Sequence, residues 1–123
     1  MGALKNLFPE KLKRAALDSS CGELILPYRE ALAAIEIATD HEIAILGVDS
    51  HEVRNGSILT HDLSDGSRQF KFTGDWTAYV QLLNSTARDW IIAHPLLGEN
   101  QGYILTSSSR VEFDALDALR DRL

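Results

Sequence analysis

The dipeptide Asn55-Gly56, set between two β-rich runs, constrains this 123-residue chain more than any other feature. A two-residue loop of this composition takes a type I′ turn, whose positive φ angles match the twist of two antiparallel strands. It predicts a hairpin and fixes its register, with Val53 opposite Ile58 and Asp49 opposite Asp62. A second turn signal at Asp65-Gly66 predicts a third strand over 67–73, with Leu63 opposite Arg68 and Leu59 opposite Phe72. This register gathers Val48, Leu59, Leu63, Phe70 and Phe72 on a core face. Asp49, His51, Thr60, Asp62, Gln69 and Lys71 share the wet face.

Helical periodicity flanks this β region. Leu7, Leu12, Ala15 and Ala16 at helical spacing, with Pro9 as a first-turn residue, predict a short helix over 9–18, closed by Ser19-Ser-Cys-Gly22. Pro27 opens a second helix whose apolar stripe is Tyr28, Ala31, Leu32, Ile35 and Ala38. Gly47 marks a bulge or close approach within the first strand. Asp75 is an N-cap for a long helix over 76–93, with Trp76, Tyr79, Val80, Leu83, Ala87, Trp90 and Ile91 on one stripe. Pro95 stops that helix, Tyr103-Ile-Leu-Thr106 reads as a further short strand, and Ser109 with Glu112 has capping-box spacing for a last helix over 110–122. The expected architecture is α+β, one domain over 1–123, in the order ααβββαβα. An antiparallel sheet of three to four strands carries its helices mainly on one face.

Apolar residues make up 45% of the chain, and the longest apolar runs, such as 43–48, are too short to cross a bilayer, so no membrane association is expected. The first residues carry no secretory signal and the lone Cys21 has no internal disulfide partner, which makes the cytoplasm the expected compartment. Charge is unevenly spread. Residues 36–65 hold Glu36, Asp40, Glu42, Asp49, Glu52, Asp62 and Asp65 against the single base Arg54, and thus the whole formal charge of −6. An acidic chain lacks the clustered Lys and Arg that nucleic acid requires, so a basic protein partner is expected and nucleic acid is not.

Asp49 and Asp62 are the most informative pair. Like charges directly opposite on a ladder are destabilising, so two facing carboxylates suggest either tolerance through full hydration on a solvated face or a surface kept for use. With His51, Glu52 and Glu99 they form the expected partner-binding set. An enzyme would instead use Asp49, Asp62 and His51 as an acid/base group, yet no nucleophile, phosphate cradle or pocket motif accompanies them and no catalytic residue is assigned. The histidines at 41, 51 and 61 suggest a metal site. The register puts His51 on the wet face and His61 on the core face opposite Phe70, so they cannot share an ion; no metal or cofactor is expected. Cys21 lies between Asp18 and Glu23, which raise a thiol's pKa and favour an inert side chain. The loop 95–102 holds Leu96 and Leu97 beside Glu99 and reads as a connector anchored by one leucine, or as a contact loop.

The segments Glu42-Ile-Ala-Ile-Leu-Gly-Val-Asp49, Phe72-Thr-Gly-Asp-Trp76 and Gly102-Tyr-Ile-Leu-Thr106 resemble, in order and size, small bacterial immunity proteins of polymorphic toxin systems. The resemblance implies a cytoplasmic protein, encoded beside a secreted toxin, that binds and blocks the toxin's effector domain; it assigns no role to a numbered residue. The rival readings are a small-ligand or regulatory domain, with a pocket between the sheet and helix 76–93, and the small enzyme above.

Overall fold

The computed structural model describes residues 3–17, 24–55 and 57–120. Its centre is the strand β1 (Ala44–Arg54), eleven residues of mostly β-branched, aliphatic and small side chains. It pairs antiparallel with β2 (Ser57–Ser64) on one side and with β3 (Gln101–Ser108) on the other, giving the sheet order β2-β1-β3. The class is α+β, and the third strand is β3 rather than the expected 67–73. Beyond β3, Leu26 and Tyr103 exchange both backbone hydrogen bonds at 2.8 Å, so a short extended piece continues the sheet. Gly102 permits that approach: a Cβ there would stand 2.6 Å from the Leu26 carbonyl oxygen.

The first turn keeps its two-residue loop. Val53 faces Ile58 and Arg54 faces Ser57, and Asn55 has φ of 49°, the left-handed backbone a type I′ turn demands. Gly56 itself lies outside the described residues. Farther from the turn the register slips by one at a β-bulge that makes His61 the extra residue, so Ser50 faces Asp62 and Asp49 faces Leu63. Ser50 supplies the cause. Its hydroxyl accepts from the Asp62 N–H at 3.0 Å and donates to the Asp62 carbonyl at 3.2 Å, meeting the backbone groups that the bulge displaces. A second bulge, between Ile45 and Gly47, shifts β1 against β3.

After β2 the chain does not turn back into the sheet. The Asp65 carboxylate accepts from the Arg68 N–H at 3.2 Å and from the Ser67 hydroxyl at 2.7 Å, starting the short helix α1 (Gly66–Gln69). Phe70 and Phe72 then pack on the next helix instead of forming a strand face, and the Tyr79 hydroxyl donates to the Phe70 carbonyl at 3.3 Å.

That helix, α2 (Trp76–Ala93), begins at the expected cap: Asp75 accepts from the Ala78 N–H at 3.1 Å. It crosses the sheet beside α3 (Tyr28–Asp40), and together they cover the face carrying Ile45, Val48 and Tyr103. Two short N-terminal helices, α4 (Ala3–Asn6) and α5 (Glu10–Ala15), add Leu4 and Leu12 to this core, and Phe8 joins it from the link between them. The last helix, α6 (Arg110–Arg120), starts at the predicted capping box: the Ser109 hydroxyl accepts from the Glu112 N–H, and Glu112 accepts from the Ser109 N–H at 3.1 Å. Its Phe113 closes a second apolar cluster with Trp76, Tyr79, Val80 and Leu83.

Two polar devices lock β1 to the helices. Buried Asn84 of α2 accepts from the Ile45 N–H at 2.8 Å and donates to the Ile43 carbonyl and the Thr39 hydroxyl at 3.0 and 2.9 Å. At the end of α3 the Ile43 N–H reaches the Ala38 carbonyl and the Glu42 N–H the Thr39 carbonyl, a Schellman closure that holds Glu42 at φ of 54°. A glycine would suit that backbone better, but Glu42 uses its side chain to accept from Thr77 in the first turn of α2 and its carbonyl to accept from the Trp76 indole.

Candidate functional site

The hairpin that carries the expected partner-binding residues is built differently from its sequence reading. Asp49, His51 and Thr60 share one face, as expected. Asp62 does not. Because Asp49 faces Leu63 while Asp62 faces Ser50, strand alternation sends the two carboxylates to opposite faces, and the like-charge pair is absent. The bulge at His61 is the physical reason: one inserted residue inverts every side chain beyond it. The same inversion brings Leu63 out of the expected core face, where it is 61% exposed.

His51 lies on the expected face but is 6% exposed, which leaves little of its side chain for a partner to touch. It stands opposite Gly102 of β3. Its Nδ1 shares a hydrogen bond with Thr60 Oγ1 at 3.1 Å, while its buried Nε2 has no hydrogen-bond partner and lies 3.9 Å from Asp49 Oδ2. Burial lowers the His51 pKa from its ordinary 6.5; Asp49 pulls it back up and His61 pushes it down. His61 was expected in the core opposite Phe70. It is instead the exposed bulge residue, 3.4 Å from Glu52 Oε2.

Glu52 is half-buried and holds Arg54 at 3.1 Å as well as His61, so its charge is largely answered within the chain. Asp49 keeps 44% of its side chain exposed, and Asp62, which accepts from the Leu63 N–H at 2.8 Å, is fully at the surface. Glu99 is exposed too, and its loop is brought to the hairpin because the Val53 N–H donates to the Asn100 carbonyl at 2.8 Å. Leu96 anchors that loop in the core while Leu97 is exposed; the buried Tyr103 hydroxyl donates to the His94 carbonyl at 2.6 Å and accepts from the Leu96 N–H.

The separation of Asp49 from Asp62 and the burial of His51 break up the proposed acid/base group. A shallow groove of about 330 Å³ touches Asp49, Leu63 and Arg68, but His51 is not on its walls. Among the described residues, no three His, Cys, Asp or Glu side chains come together to hold a metal ion, and no helix is long and apolar enough to cross a membrane. Cys21 lies outside the described residues.

A larger cleft, of about 590 Å³, opens between α1 and α6, with Phe72, Tyr79 and Phe113 on its floor. The rival ligand-binding reading placed a pocket beside Trp76 and Tyr79; of the two only Tyr79 lines this cleft, and reading the residues after Gly66 as a strand hid the place of Arg68 and Lys71 in its walls. The missed exposure of Leu63 had one signal in the sequence: Ser50, a hydroxyl in the middle of a β-run, able to satisfy a bulge. No protein-family model, no curated protein and no solved structure matches this chain.

Proposed function

We propose that this chain is a small acidic binding protein of the immunity type, which holds a basic protein partner, the effector domain of a bacterial toxin, against its β1–β2 hairpin. It has no turnover of its own in this reading and works in the bacterial cytoplasm. The observation that carries the proposal is the state of β2. Residues 59–63 are five consecutive exposed positions on the free edge of the sheet, including the large apolar Leu59 and Leu63. Asp62 lies within this stretch and Asp49 stands opposite Leu63, and neither carboxylate has a Lys or Arg partner among the described residues.

An edge strand with one exposed leucine and one unanswered carboxylate on each face, Leu59 with Asp62 and Leu63 with Asp49, suits a partner whose apolar contacts are rimmed by Arg and Lys, because such charge pairs speed encounter and reject wrong partners. The opposite orientation of the two carboxylates is compatible with one partner, since a partner clasping an edge strand meets both of its faces. The bulge and Asp62 meanwhile discourage plain strand-to-strand pairing with other chains.

The test is co-expression with the toxin effector domain encoded beside this gene. The chain should rescue growth, and the double variant Asp49→Lys, Asp62→Lys should lose the rescue while keeping the parent's melting temperature. Rescue that survives the double charge reversal would place the contact surface elsewhere.

A further inference from the structure

We infer that the cleft between α1 and α6 is a binding site for a small anion with a flat apolar body, an aryl carboxylate in class. It is a second site that adjoins the groove beside Asp49 and Leu63, sharing Asp65 and Arg68 with it. Its volume of about 590 Å³ lies within the usual range for small-molecule pockets. The floor is preformed: the rings of Phe72, Tyr79 and Phe113 contact one another with centroids 5.4 to 5.7 Å apart, at tilted or edge-on angles. Such rings present edges and partial faces to a flat guest without having to move.

The walls are also fixed. The capping box holds the first turn of α6, and the Arg110 guanidinium lies 5.1 Å from the Phe72 ring centroid while pairing with Asp114 at 3.1 Å. On the other side Gly66 seats α1 directly on Leu83, where an added Cβ would stand 3.2 Å from a side-chain carbon. Between these walls the apolar floor is left open rather than filled by the chain's own side chains, and Leu116 at the mouth is 45% exposed.

Charge selects the guest. Four ionised side chains line the cleft: Asp65, Arg68, Lys71 and Asp117. Arg68 is paired with Asp65 at 3.3 Å, and Asp117 has a partner of its own. Lys71 is exposed and makes no ion pair among the described residues, so it leaves a basic group at the rim for a guest, on a chain whose net charge is −6. An apolar body on the aromatic floor and one anionic group at Lys71 satisfy the cleft together; a neutral guest satisfies only the floor, and a polyanion meets the surrounding negative field.

The experiment is a two-dimensional amide NMR titration with 2-naphthoate, repeated with uncharged 2-naphthalenemethanol. Saturable shifts are expected at Lys71, Phe72, Phe113 and Leu116. Affinity should fall about tenfold for the alcohol, and about tenfold for naphthoate on Lys71→Gln, an exposed and conservative change. Leu116→Trp should fill the mouth and abolish binding, while amide shifts remote from the cleft remain at parent positions and so report an intact fold. Shifts that do not saturate by about 5 mM, that map to another surface, or that are indifferent to both Lys71→Gln and Leu116→Trp would overturn the proposal.

Discussion

His51 Nε2 lies 3.9 Å from Asp49 Oδ2, buried and without a hydrogen-bond partner. This is too long for a hydrogen bond and short enough for the carboxylate to matter when the ring gains a proton. Burial wins over that attraction and lowers the folded-state pKa below 6.5. The unfolded chain therefore binds a proton more readily than the fold does. Stability from neutral His51 is present in full above the unfolded value and is lost as pH falls through the lowered folded value. Thermal unfolding followed from about pH 7.5 to about pH 5 should show the parent losing more stability than His51→Leu, which cannot titrate at this position. A parent and variant with parallel pH profiles would show that the ring is not buried as described.

Asn84 ties α2 to the start of β1 and meets two backbone groups there. Removing it by Asn84→Ala leaves the Ile45 N–H and the Ile43 carbonyl buried without partners, a loss of about 3 kcal/mol. Asn84→Asp retains an acceptor for Ile45 but loses both donated bonds and buries a charge, so it should not rescue the protein. Urea unfolding midpoints at unchanged slope measure both effects.

Ser50 decides the register of the far half of the hairpin. Ser50→Ala removes both hydroxyl bonds to Asp62 and should cost about 1–2 kcal/mol, with the largest amide shifts at residues 60–63. If the bulge resolves in this variant, Asp62 moves opposite Asp49 and cross-strand nuclear Overhauser contacts between Asp49 and Leu63 disappear. A variant that keeps those contacts and its stability would mean that another group holds the bulge.

These residues also mark what the sequence could and could not disclose. The Asn55 turn, the Asp75 cap and the Ser109–Glu112 box were legible because each acts through neighbours within a few residues. The α+β class followed from them. Asp65-Gly66 misled because the same dipeptide opens a hairpin or caps a helix, and only the packing of Phe70 and Phe72 against Tyr79 chooses between the two. The position of Asp62 depended on a single inserted residue, His61, whose cost is offset by a hydroxyl on the neighbouring strand. Asn84 falls inside the apolar stripe of α2 and its role has no local signal, since its partners are 39 to 45 residues away in the chain. Of the site, the exposed carboxylates were legible as charge and Asp49 by its face, but the face of Asp62 was not.

The opposite orientation of Asp49 and Asp62 separates two ways of meeting a partner. A partner lying flat on the face of Asp49 and Leu63 would feel Asp49→Asn strongly and Asp62→Asn weakly, because only the first carboxylate is on that face. A partner that clasps the edge of β2 reaches both faces, and the proposed function requires that each single substitution slow association and that the double substitution slow it about tenfold at low ionic strength. Leu63→Ser removes apolar contact without changing charge, so it should leave the association rate near the parent value and speed dissociation instead. Stopped-flow association with the toxin domain, across a salt series, separates these cases. Similar losses at both carboxylates, flattening together as salt rises, select the edge; a loss confined to Asp49 selects the single face.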